Sequence, residues 1–170
     1  MNLEQVSRLV VSFDQPHMDL FVDFQGFKDP SNTFIVKEFA IATSDGMLLQ
    51  HWLVRSPYPI STLDSKTIRQ CNWTTKYHHG VHWTDGDITI QSLHRQLQPL
   101  LLNAVIYVKG LEKANYLKET FRPSQVYELS NYPSLKDLET SNVYCIFHRK
   151  NTNKMCALNN VLKLVQYHNQ

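Results

Sequence analysis

The chain has 170 residues, 42% of them hydrophobic and 19% charged, which is long enough for one domain with a substantial apolar core and short for two. A formal charge of +2 permits a nucleic-acid patch without arguing for one, and no apolar run approaches a membrane span or follows a basic start in the manner of a secretion signal. Three cysteines, Cys71, Cys145 and Cys156, are too sparse for a disulfide framework, so the reading is a soluble intracellular protein with reduced thiols or a metal site.

Residues 1–15 are assigned to an N-terminal extension, and 16–170 to a single domain without internal repeats or a flexible linker. "LFVDFQGF" (20–27) alternates apolar and polar residues and ends near a glycine, which predicts a strand. "NTFIVKEFAIAT" (32–43) and "GMLLQHWLVRSP" (46–57) predict two more, hinged at Asp45-Gly46. From 58 to 88 the periodicity fades, and a short helix near 63–73 inside a long functional loop is expected. Ile90, Leu93, Leu97, Leu100 and Leu101 give 88–101 a helical stripe. "AVIYVKG" (104–110) is apolar enough to predict a central strand covered on both faces. A helix "LEKANYLKETF", a strand "QVYELS", a small helix "SLKDLE" and a closing helix over 154–168 complete the chain. Three antiparallel strands, then strand-helix-strand, then a last helix describe an α/β protein in the order of a ribonuclease H-like mixed β-sheet flanked by helices.

Three groups of residues carry candidate chemistry. Cys145, His148 and Cys156 have the spacing C-x2-H-x7-C, in which two thiolates and an imidazole can meet at a tetrahedral zinc, with Cys71, an acidic residue on a neighbouring strand or water as the fourth ligand. The competing reading is two buried thiols beside a solvated histidine. Asp23 and Gln25 share a strand face where a two-metal nuclease needs two carboxylates, so the geometry is present and one charge is lacking. "YHHGVHW", with Trp73, Tyr77 and Trp83, gathers rings beside Lys76 and Arg69. Exposed, such a loop stacks unpaired bases while its cations meet phosphates; buried, it plugs the core. Lys109, Lys113 and Lys118 surround Gly110 at a strand-to-helix junction, either as a phosphate site or as a solvated face.

The order of these motifs resembles the DEDDh 3'-5' exonuclease branch of the ribonuclease H-like fold over roughly residues 18–168. "FVDFQGF" stands as its first motif, "YVKGLEKANYL" as its second and "MCALNNVLKL" as its closing helix. Of the acids only Asp23 remains, with Gln25, Lys113 and Asn160 at or near the other positions and Met155 at that of the general-base histidine. The chain is more similar to the maelstrom domain of piRNA-pathway proteins, a degenerate relative that carries a Glu-Cys-His-Cys zinc site. "KEFA" matches its glutamate motif. The resemblance implies a structural Zn2+ held by Glu38, Cys145, His148 and Cys156, stapling the sheet to the last helix. It also implies a pseudoenzyme that binds single-stranded RNA or a silencing-pathway protein, with no membrane association. Its location would be the cytoplasm, in perinuclear germ granules, or the nucleus, and its task small-RNA or transposon silencing. The RNA face expected is Arg69, Lys76, Tyr77, Trp83, Lys109 and Lys113. The alternatives are a weak Mg-independent ribonuclease using histidines of 78–82, and an interaction scaffold encoded by a transposon or virus.

Overall fold

In the computed structural model, which describes residues 18–139, 145–148 and 154–170, the first hairpin pairs β1 (Met18–Lys28) with β2 (Phe34–Thr43). The N-terminal extension expected over 1–15 lies outside the described residues. The Asp29 carboxylate closes the hairpin by accepting from the backbone N–H groups of Ser31 and Thr33. Asp45-Gly46 makes the next turn as expected, with Gly46 at φ 75°, and leads into β3 (Leu49–Leu53). β3 is shorter than the sequence suggests because the loop after residue 82 takes over its edge. Val54 bridges Ile88 in parallel, and Asp87 and Ile88 both donate to the Leu53 carbonyl.

The five strands lie in the order β3-β2-β1-β4-β5, with β4 at Ala104–Val108 and β5 at Gln125–Glu128. The first three pair antiparallel, and β4 joins β1, and β5 joins β4, in parallel. A mixed α/β sheet is therefore what the chain forms. The pattern of β1 sends Leu20, Val22 and Phe24 to one face, where α2 (Ile90–Leu101) and α3 (Leu111–Phe121) cover them with Leu93, Leu97, Leu101, Ala114, Leu117 and Phe121. Phe21, Asp23 and Gln25 turn to the other face, which α4 (Ala157–His168) crosses. Ala40 and Ala42 on β2 meet Ala157 and Val161 there.

The strands covered on both faces are β1 and β2 rather than β4. Val105 and Tyr107 are only half-buried, because α4 packs over β1 and β2. α1 (Ser65–Thr74) starts on an Asp64 cap and runs on into a π turn, Thr75–His79, stopped by Gly80 at φ 73°. The predicted small helix over 134–139 is a single 3-10 turn, Leu135–Asp137. Among the described residues no helix is long and apolar enough to cross a membrane.

Candidate metal centre

Glu38 shares its strand face with Ala40 and Ala42, so β2 delivers a carboxylate beneath the start of α4. It is fully buried. Its Oε1 accepts the backbone N–H of Ala157, the first residue of α4, where the open N–H groups of a helix favour negative charge. Its Oε2 has no hydrogen-bond partner. That unpartnered oxygen lies 3.8 Å from His148 Nδ1.

Cys156 caps α4 in extended conformation, and Cys145 and His148 sit on one turn beside it. The ligand atoms of Cys145, His148 and Cys156 all lie within 4.8 Å of one another, and all three side chains are buried. They can hold a metal ion. Cys145 Sγ is 3.4 Å from His148 Nδ1, and the other ring nitrogen, Nε2, lies 2.6 Å from the His79 carbonyl. A carbonyl only accepts, so Nε2 carries a proton, and Nδ1 is left as the ligand atom of the neutral ring. The hydrogen bond from Cys156 holds the Cys145 thiol well below its usual range, and His148 adds to the effect. The same bond, together with burial, pushes Cys156 up. Burial alone would lower His148, but its bond to Cys145 and the Glu38 charge together raise it. Binding a divalent cation here would release the proton that Cys156 keeps.

The support behind His148 comes from the loop after α1. His79 is buried, with Nε2 on the Gly26 carbonyl at 3.0 Å and Nδ1 accepting from Val81 N at 3.0 Å. Burial lowers it to about 4, so both nitrogens are committed in the neutral form. Met155 N donates to the His78 carbonyl, and Lys154 Nζ to that of Lys76, tying the approach to α4 onto the same turn.

Cys71 belongs elsewhere. It packs with Phe27, Ile35 and Trp83 and is not the fourth donor. A residue the sequence reading passed over, His51 on β3, puts its Nε2 3.5 Å from Glu38 Oε2. The turn at Asp45-Gly46 fixes a register in which Ala40 faces His51, which puts His51 on the Glu38 face, so the signal was present.

A second polar cluster surrounds Asp23, also fully buried. Lys113 Nζ reaches Oδ1 at 2.5 Å from the first turn of α3, while Asn160 Nδ2 and Gln25 Nε2 lie 2.8 and 3.3 Å from Oδ2. Gln25, Lys113 and Asn160 thus converge on one carboxylate. A lone carboxylate already paired with an ammonium is a poor ligand for a divalent cation.

Half of the expected RNA face is used internally. Trp83 is core rather than surface: it is 7% exposed, packs on Phe27 and Tyr58, and donates Nε1 to the Tyr58 carbonyl. Lys109 spends its ammonium on the Leu129 and Tyr132 carbonyls, and Lys113 on Asp23. Arg69, Lys76 and Tyr77 are exposed. Tyr77 pairs with Trp73 at 5.6 Å between ring centroids, both nearly 60% exposed, and Lys76 Nζ stands 5.0 Å over the Tyr77 ring. No carboxylate side chain occurs from residue 65 to 84. The chain matches no protein-family model and, at a significant level, no curated protein.

Proposed function

We propose that the chain is a zinc-stapled, catalytically degenerate ribonuclease H-like domain that binds single-stranded RNA. The sheet order β3-β2-β1-β4-β5, three strands antiparallel and then two parallel, supports the fold assignment. Asp23 at the centre of β1, answered by Lys113 and Asn160, supports the loss of two-metal chemistry.

Zinc fits the donor set. With bond lengths of about 2.3 Å to sulfur and 2.0–2.2 Å to nitrogen and oxygen, tetrahedral edges are about 3.6 Å for S···N and about 3.4 Å for N···O. Cys145 to His148 spans 3.4 Å and His148 to Glu38 spans 3.8 Å. The unpartnered, buried Glu38 Oε2 is the fourth donor, and a buried acceptor without a partner is costly unless something binds it. Four protein ligands leave no position for an activated water, so the metal is structural.

The observation that carries RNA binding is the exposed Trp73–Tyr77 pair, set beside Lys76 and Arg69 in a stretch free of acids. Rings on a surface present stacking platforms to unpaired bases, and the flanking cations meet phosphates. The resemblance to maelstrom domains extends this reading to small-RNA or transposon silencing in germ granules or the nucleus. A Mg-independent ribonuclease would have to work without His79, whose ring nitrogens are both engaged.

Titration of labelled single-stranded RNA at several salt concentrations tests the reading. Trp73→Ala and Tyr77→Ala should each cost about 1–3 kcal/mol of affinity, and Arg69→Ala with Lys76→Ala should flatten the salt slope for all sequences alike. Unchanged RNA affinity in these folded variants would leave a protein-interaction scaffold instead.

A further inference from the structure

We infer that His51 belongs to the metal centre as the outer donor that fixes the Glu38 carboxylate in its ligating orientation, an assignment that rests on the zinc reading above. Among the described residues, four buried side-chain atoms have no hydrogen-bond partner: Glu38 Oε2, His51 Nε2, His94 Nε2 and Asn159 Oδ1. Two of the four face each other at 3.5 Å. Buried polar groups of a native fold are normally satisfied, and two such atoms at one point mark a place completed by something that binds there.

The chemistry of the two atoms decides the arrangement. Glu38 Oε1 is occupied by the Ala157 N–H, which leaves Oε2 as the ligand atom. A carboxylate oxygen has two lone pairs, one for the cation and one for a donor. His51 Nε2 is the nitrogen within reach of that oxygen on the β3 side, and closing 3.5 Å to a hydrogen bond of about 2.9 Å needs only a small movement. Its contact in the structure is with the carboxylate, and in the zinc reading Glu38, Cys145, His148 and Cys156 already complete a four-coordinate set. His51 therefore acts through Glu38 and not as a fifth ligand. The ring also lines an open recess with Leu53, Asp87, Ile146 and Phe147, so a change at residue 51 is made at the rim of the core rather than inside it. Outer-sphere partners of this kind hold a ligand in one rotamer, and their removal typically weakens metal affinity 10- to 100-fold.

The test is zinc affinity of the full chain by chelator competition, with cobalt(II) absorption as a report on coordination geometry, in the parent, Cys145→Ala, His51→Ala and His51→Gln. His51→Ala should bind one zinc about 10- to 100-fold more weakly and keep the parent's tetrahedral cobalt spectrum. His51→Gln, whose amide N–H can reach the same oxygen, should recover part of the loss. Affinity in His51→Ala equal to the parent, while Cys145→Ala fails to bind, overturns the role of His51 and leaves the zinc centre standing. Loss as complete as in Cys145→Ala, with an altered cobalt spectrum, makes His51 a direct ligand and overturns it too. A parent chain that binds no metal removes the centre and this inference together.

Discussion

Asp23 is a buried carboxylate whose charge is answered by the Lys113 ammonium, with the Asn160 and Gln25 amides on the other oxygen. Removing one partner of a buried pair costs about 3–5 kcal/mol, because the remaining charge stays desolvated. Since Lys113 is 20% exposed, Lys113→Ala should fall toward the lower end, read as a shift in urea unfolding. Asp23→Asn combined with Lys113→Met should recover most of that loss, and added Mg2+ should not elicit trimming of RNA 3' ends by the parent. His79 gives a pH dependence. Folded, it stays neutral down to about pH 4, because burial desolvates the ring, whose Nδ1 is already taken up accepting from Val81 N; unfolded, it titrates near 6.5. As pH falls the unfolded chain takes up the proton first, so stability present above 6.5 is lost between 6.5 and about 4, on the order of 3 kcal/mol at the acid end. Urea midpoints measured across that window should fall more steeply for the parent than for His79→Gln. Residue types and spacing made the thiols, His148 and Asp23 legible in the sequence. How Lys109 and Trp83 are engaged inside the fold had no such signal, because their partners are backbone carbonyls and core rings, which no local pattern records.

Two glycines show how elements are specified by different constraints. Gly46 has φ 75° with open space around it, so Gly46→Ala pays only the left-handed backbone penalty of about 1–2 kcal/mol. Gly26 has no such φ, but it sits at the β1–β2 register shift, where a Cβ would collide with the Ile35 carbonyl. Gly26→Ala must move backbone between two central strands and should therefore lower the melting temperature more than Gly46→Ala. The hairpins were readable because alternation and a turn dipeptide are local signals. β3 ended early because a distant loop occupies its edge, and α4 begins at Ala157 rather than 154 because Met155 bonds His78 instead of continuing a helix. The π turn after α1 had no signal at all: "TKYHH" lacks an apolar period and is held from outside, by residues 154 and 155.

At the scale of the molecule, the polar centres lie on the face crossed by α4, while α2 and α3 cover the other with hydrocarbon. Glu38 comes from the second strand, Cys156 from the cap of the last helix, and Cys145 and His148 from the turn before it, so one ion would join segments more than a hundred residues apart. Closing so long a loop is where a metal clip contributes most to folding, because the unfolded chain holds no preformed site. Spacing left the fourth ligand open and the resemblance implied Glu38; the folded sheet brings its unpartnered oxygen to 3.8 Å from His148 Nδ1, which supports Glu38 as the proposed fourth donor. The most direct measurement is metal content of the purified chain together with its melting curve before and after chelation. One zinc per chain in the parent, none in Cys145→Ala/Cys156→Ala, and a lower melting temperature in both the chelated parent and the double variant are the results expected. A parent that carries no zinc and melts identically with and without chelator, or a double variant that retains a full equivalent, would contradict the account.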